Sequence, residues 1–339
     1  MQTEHRKRIY IAYTGGTIGM QRTEHGYAPV AGFLTDSVRA NPEFHRPEMP
    51  EFELHEYEQL IDSSNMSPAD WQLIADDIQC HYDEFDGFVI LHGTDTMAFT
   101  ASALSFMLEG LNKPVIVTGS QIPLAQLRSD GQQNLLNALY IAANYPIAEV
   151  CLFFNNVLLR GNRSTKVHAD GFAAFDSPNM APLLEAGIAI KLGPEYMAPQ
   201  PGRTLQVHPI TPQPIGVVTL YPGISIEVIA NMLQQPVKAL ILQSYGVGNA
   251  PQREDLLSLL KEAQDREILV VNLTQCLQGK VNMAGYATGN ALSRVGVISG
   301  YDMTIEAALA KLHYLLSRPL SFKERQQLMQ QPLRGELSQ

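Results

Sequence analysis

The feature that most limits the fold of this chain is an alternation. Apolar runs of four to six residues recur between longer segments whose apolar residues fall at helical spacing. That rhythm predicts an α/β protein with a mostly parallel sheet. Ile9–Tyr13, Phe88–Leu91, Val115–Thr118 and Val150–Phe154 read as strands. Between them, Ser67 reads as an N-cap, with Pro68 at the first helical position and Asp70 three residues after the cap. Trp71, Ile74, Ala75, Ile78 and Tyr82 then mark one buried face. Further helices are expected around Ala98–Leu108 and Gln132–Ala143.

The pattern breaks between Leu192 and Pro214. Pro194, Pro199, Pro201, Pro209, Pro212 and Pro214, with Gly193 and Gly202, read as an interdomain linker. Beyond it the alternation restarts. Ile215–Leu220, Ala239–Gln243 and Ile268–Leu273 read as strands, and Ser225–Gln234, Arg253–Asp265 and Thr304–Leu316 as helices. The expectation is a larger N-terminal α/β domain over 1–192, its sheet flanked by helices. A linker over 193–214 and a smaller parallel α/β domain over 215–339 follow.

A chain of 339 residues suits two domains and buries enough surface to fold without disulfides or metal. Its net charge of -10 repels polyanions, which argues against nucleic acid and acidic membranes as partners. Cys80, Cys151 and Cys276 are odd in number and far apart, so a reducing compartment is expected and a zinc site is not. Cys276 reads as a small buried residue. The N-terminus is basic (His5, Arg6, Lys7, Arg8), and the apolar run after it is too short for a secretion signal. No apolar stretch approaches the ~20 residues of a membrane helix. A cytoplasmic location is expected.

Ligands in open α/β sheets bind beyond the carboxyl ends of the strands. The first strand is followed by Thr14-Gly15-Gly16-Thr17-Ile18-Gly19, the second by His92-Gly93-Thr94-Asp95-Thr96-Met97, and the third by Thr118-Gly119-Ser120-Gln121. After the fourth comes Arg160-Gly161-Asn162-Arg163-Ser164-Thr165-Lys166. Glycine lets backbone N–H groups approach a ligand, and hydroxyls supply nucleophiles or donors. Taken singly, each piece has an ordinary reading. The TGGT turn is a tight turn or a phosphate cradle, His92 a structural hydrogen-bonder, and Asp95 a helix N-cap. Lys166 is a solvated lysine, and Tyr27 a loop residue. Their joint placement at successive strand ends points to chemistry. No set of His, Cys and carboxylates at ligand spacing accompanies them, so neither a metal nor another cofactor is expected.

Ile11–Gly19 and Gly87–Met97 resemble the two signature segments of the bacterial-type asparaginase/glutaminase family, and the resemblance runs over essentially the whole chain. The HGTDTM, VTGSQIP and SYGVGNAP segments are most similar to the cytoplasmic, type I members. The resemblance implies hydrolysis of L-asparagine to L-aspartate and ammonia, with weaker glutaminase activity open. Thr17 matches the nucleophile, Thr94 and Asp95 the Thr-Asp pair, and Lys166 their lysine partner. Tyr27 matches a tyrosine on a mobile loop that closes over substrate. Asp62 and Ser63 match the loop that grips the substrate's α-carboxylate and amino groups, and Ser120 and Gly16 line the pocket. Which threonine attacks first stays open at this level, as does whether Asp95 relays protons or holds the α-ammonium.

Type I members form homotetramers built from dimers, some with a second asparagine site that regulates activity. Thr165, Gln243, Asn249, Thr274 and Cys276 fall where that effector site is expected. One relative carries an arginine at the position of Gln243. Glutamine cannot clamp a carboxylate in a bidentate pair, so weakened or absent regulation is expected. Two rival readings remain. One is the related archaeal amidotransferase subunit, which the acidic charge disfavours. The other is a non-catalytic amino-acid binding protein, which would saturate with asparagine and release no ammonia.

Overall fold

The computed structural model of the chain describes residues 6–24, 26–285 and 287–339, the side chains of 287 and 288 excepted. His5 of the basic N-terminus lies outside them. The chain divides into two units, Met1–His208 and Pro209–Gln339.

In chain order, unit 1 contains β1 (Arg8–Tyr13), β2 (Met20–Thr23), β3 (Gly26–Pro29), α1 (Phe33–Ala40), β4 (Glu51–Glu56), α2 (Pro68–His81), β5 (Gly87–Leu91), α3 (Met97–Met107), β6 (Leu108–Glu109), β7 (Val115–Thr118) and α4 (Gly131–Asn144). It continues with β8 (Val150–Phe154), β9 (Val157–Arg160), β10 (Thr165–Lys166), β11 (Phe175–Asp176), β12 (Leu184–Ala186), β13 (Ile190–Leu192) and β14 (Gln206–Val207). Eight of these strands form one sheet in the order β13-β12-β9-β8-β7-β5-β1-β4. The run β4-β1-β5-β7-β8 is parallel, and β9, β12 and β13 extend it antiparallel.

The parallel strands explain why their sequences read as unbroken apolar runs. Phe88, Val89, Ile90 and Leu91 are all fully buried, as are Val115, Ile116 and Val117, because helices cover both faces. On one face Ile9, Ile11, Val89, Leu91 and Ile116 meet Leu135, Ala138 and Leu139 of α4. On the other, α3 packs on β7 and β8 and is itself buried nearly all round. α2 begins as its sequence predicts. Asp70 accepts the Ser67 amide at 2.7 Å, closing a capping box, and Trp71, Ile74, Ala75 and Ile78 are buried.

Part of the proline-rich stretch is structured. β14 lies inside it and pairs antiparallel with β6, placing residues up to His208 with unit 1.

Unit 2 contains β15 (Ile215–Thr219), α5 (Ile226–Met232), β16 (Ala239–Ser244), α6 (Glu254–Asp265), β17 (Leu269–Thr274), α7 (Ala287–Arg294), β18 (Ile298–Ser299), α8 (Ile305–Leu316) and α9 (Phe322–Met329). Its sheet is parallel, in the order β15-β16-β17-β18. Leu240, Leu242 and Val270 pack against Ile229, Leu256 and Leu260. Beneath α8, the Lys311 ammonium is wholly buried and bonded to the equally buried Glu336 carboxylate at 2.5 Å. It also donates to the carbonyls of Met329 (3.0 Å) and Gln331 (2.6 Å). Among the described residues, no helix is long and apolar enough to cross a membrane.

Candidate active site

The carboxyl ends of β1, β5 and β7 meet through their backbones. Thr14 donates its amide to the Leu91 carbonyl (3.1 Å), and His92 donates its own to Thr118 (2.9 Å). The loop after β4 joins them when Ile61 donates to the Thr14 carbonyl at 2.7 Å. Two glycines make this approach close. A Cβ on Gly15 would lie 2.1 Å from the Ile61 oxygen, and one on Gly16 would lie 2.5 Å from the Gly93 nitrogen. Both have positive φ, 137° and 93°, so a side chain there meets strain as well as backbone.

This packing positions the predicted residues. Thr17, half-buried, begins a 3-10 turn (Thr17–Gly19) directly after Gly16. The Tyr13 hydroxyl donates to the Gly16 carbonyl at 3.2 Å and fixes the turn from below. Ser63 is 5% exposed and lies so near Gly93 that a Cβ there would meet its Oγ at 2.4 Å. Its carbonyl accepts from Thr96 Oγ1 at 2.7 Å. Asp62 is exposed and accepts the Ser64 amide at 2.9 Å. Ser120 is buried, and among the described residues its hydroxyl has no hydrogen-bond partner.

Thr94, Asp95 and Lys166 come together directly. Lys166 stands on the short β10–β11 hairpin and donates to Thr94 Oγ1 at 3.0 Å and to Asp95 Oδ1 at 2.8 Å. The Lys166 side chain is 20% exposed, against 66% for Asp95. Asp95 does not cap a helix: Thr96 occupies the N-cap position of α3. Lys166 is likewise not the freely solvated lysine of its ordinary reading. Tyr27 lies on β3, paired with Arg22 of β2, so the polar stretch is a hairpin rather than an irregular loop. Its side chain is exposed.

His92 keeps its structural reading. It is fully buried, its Nδ1 donates to the Gly93 carbonyl (2.7 Å), and its Nε2 accepts from Thr100 Oγ1 (2.8 Å). Trp71 Nε1 donates to the same hydroxyl at 3.1 Å, so the histidine ties α2 and α3 to the site floor. Burial disfavours the imidazolium and pulls its pKa from 6.5 to about 4. The unfolded chain gains this proton below 6.5 and the folded chain only near 4, so the stability of the neutral form is present above that window. It is lost as pH falls, to the extent of about 3 kcal/mol by pH 4. Urea unfolding at pH 7 and pH 4.5 is expected to show a smaller acid loss in His92→Gln than in the parent. Equal losses would mean that His92 titrates normally.

The candidate effector residues lie in both units. Thr165 precedes Lys166 on β10 and is buried. In unit 2, Gln243 is the penultimate residue of β16, its carboxamide oxygen accepting from Thr219 Oγ1 at 2.7 Å. Tyr245 and Asn249 exchange main-chain bonds of 2.9 and 2.8 Å. Thr274 Oγ1 donates to the Gly246 carbonyl (2.5 Å) and accepts the Cys276 amide (3.0 Å). Cys276 is exposed, not buried, because it falls in the loop after β17 rather than in the strand.

Sequence reading missed one residue. Gln121 accepts from Thr94 Oγ1 at 3.0 Å through its Oε1. The VTGSQIP segment contains it, but nothing local marks a glutamine whose partners lie far along the chain.

Residues 8–196 match the family model for the asparaginase N-terminal domain, and residues 214–329 the glutaminase/asparaginase C-terminal domain. The chain is 69% identical to L-asparaginase 1 of Escherichia coli K12, over 98% of each chain. The crystal structure of L-asparaginase I from Vibrio cholerae superposes with a TM-score of 0.94 at 68% identity, covering 99% of this chain and 100% of that one. The thermostable L-asparaginase of Thermococcus kodakarensis superposes with a TM-score of 0.88 at 31% identity, covering 98% and 99%. With both family domains matched in order, the chain belongs to the asparaginase family.

Proposed function

We propose that this protein hydrolyses L-asparagine to L-aspartate and ammonia through a β-aspartyl ester on Thr17, with glutamine as a weaker substrate. The observation that carries the reading is Lys166 bonded to both Thr94 and Asp95 at the strand ends that hold the TGGT turn. A threonine hydroxyl is a weak nucleophile and needs a base beside it. The Thr94–Lys166–Asp95 group supplies a path for its proton, and no cofactor is called for. Attack on the amide carbon expels ammonia, and water then hydrolyses the ester. Backbone N–H groups of the glycine turns suit the oxyanion, at about 3 kcal/mol per donor. Asp62, Ser63, Ser120 and Gly16 line the pocket, Asp95 holds the α-ammonium, and Tyr27 closes over the substrate.

The proposal includes a cytoplasmic homotetramer built from dimers. Regulation by a second asparagine is weakened, because Gln243 cannot form a bidentate clamp. A sigmoidal rate curve made hyperbolic by Thr165→Ala would refute that last element.

Ammonia release by the purified protein across a wide asparagine range, with glutamine in parallel, tests the whole. Asparagine is expected to be preferred by roughly 10- to 200-fold in kcat/KM, the range one methylene allows. Lys166→Met is expected to lower kcat at least about 100-fold. A folded protein that binds asparagine and releases nothing would be a binding protein instead.

A further inference from the structure

Gln121 follows β7 and is gripped from two directions. Its amide and that of Ile122 both donate to the Asp130 carboxylate, at 3.0–3.1 Å, just ahead of α4. Its side chain reaches the other way. Nε2 donates to the carbonyls of Gly171 (3.0 Å) and Ala169 (3.3 Å), in the turn between β10 and β11. Oε1 faces Thr94 Oγ1 at 3.0 Å.

These partners fix the direction of every bond in the cluster. Two carbonyl oxygens accept only from the NH2 end of an amide, so the carboxamide cannot flip. Its oxygen must face Thr94, and the Thr94 hydroxyl must donate to it. The lone pairs of Thr94 are then left for Lys166, which donates to them. The Thr94 proton thus points away from the lysine that is proposed to receive it.

We propose that Gln121 is a positioning residue: it holds the Thr94 proton away from Lys166 until the lysine is neutral, and ties this setting to the 168–171 turn. The inference rests on the proposed role of the Thr94–Lys166–Asp95 group. While Lys166 is an ammonium it is a donor only, and Thr94 keeps its proton on Gln121. Once Lys166 is neutral its lone pair competes, and rotation of one hydroxyl opens the path. Donation to Gln121 also makes Thr94 a better acceptor for the Lys166 N–H. Among the described residues, Asp95 is bonded to Lys166, His168, Asp170 and Asp176 lie on the same hairpin as Lys166, and Asp130 holds Gln121 from behind.

The test pairs Gln121→Leu with Gln121→Glu. Leu removes the acceptor. Glu keeps an acceptor, adds a negative charge and cannot donate to the two carbonyls. Gln121→Leu is expected to lower kcat for asparagine about 10- to 100-fold with KM changed less than about threefold. The ascending limb of kcat against pH should move to lower pH in Gln121→Leu and to higher pH in Gln121→Glu, by about half a unit each. Circular dichroism melting establishes that both variants fold. Limbs that stay in place, or move the same way, overturn the proposal. Neutron diffraction on deuterated crystals of the parent gives a readout that needs no turnover. A Thr94 deuteron on the Gln121 side supports the proposal, and one on the Lys166 side sinks it. If the parent releases no ammonia, the enzymatic reading fails, and the deuteron position still decides the role of Gln121.

Discussion

Replacing Thr17 by valine is expected to lower kcat for asparagine about 10⁶-fold, the scale on which removing a covalent nucleophile acts. Valine matches threonine in shape, and Thr17 is half-buried at the start of its turn. The backbone contacts of Gly15 and Gly16 are made by other residues and survive the change. Melting temperature should therefore stay within about two degrees, and asparagine should still bind. Thr94→Val should cost less, about 10²- to 10³-fold, because it interrupts proton movement without removing the attacking atom. Mass spectrometry of enzyme quenched during turnover separates the two threonines. The β-aspartyl ester is expected on the peptide containing Thr17. An ester on the Thr94 peptide, or near-normal turnover by Thr17→Val, would reverse the assignment.

Lys311→Met is expected to destabilise unit 2 by about 3–5 kcal/mol, the cost of stranding a buried charge. Lys311 and Glu336 are both wholly inaccessible. Burial pulls the lysine below its usual pKa range, while the carboxylate beside it pulls back. Glu336 also accepts the amides of Leu333 (3.0 Å) and Arg334 (2.7 Å), so its charge is anchored and cannot turn to water. The double variant Lys311→Met, Glu336→Leu removes both charges and should recover about half of the loss or more. Recovery stays incomplete because the two amides lose their acceptor. Urea unfolding of the parent, single and double variants measures all three. A single-variant loss under about 1 kcal/mol would mean that the pair carries little of the stability of unit 2.

The parts of the fold legible in the sequence are those where burial leaves no freedom. Phe88–Leu91 reads as a strand because every side chain along it meets a covered face. α2 reads clearly because Ser67 and Asp70 announce its start. β4 was not legible. It lies at the sheet edge, and its residues Glu51–Glu56 alternate between exposed and half-buried, which resembles a polar loop. β14 was hidden by its surroundings, since proline density suggests a tether while its pairing partner lies almost 100 residues earlier. At the site, the strand-end motifs and the resemblance brought Thr94, Asp95 and Lys166 forward, and the structure joins them. Cys276 was misread because residue type speaks for burial on average, whereas its loop position decides the case. Gln121 stayed silent because its role depends on carbonyls 48 and 50 residues away, and any residue supplies a carbonyl.

The buried bond from Lys311 to Glu336 also orders events during synthesis. Domains fold largely as they emerge, N-terminal part first. All residues of unit 1 precede Pro209, so its sheet can form while unit 2 is still being translated. Unit 2 cannot close in the same way. Its α8 carries an ammonium into the interior, and the carboxylate that neutralises it is made 25 residues later. Until then, α8 either keeps Lys311 in water or holds an uncompensated charge. A chain truncated before residue 336 is therefore expected to leave its second unit open. In such a chain, limited proteolysis is expected to cut unit 2 faster than in the full chain.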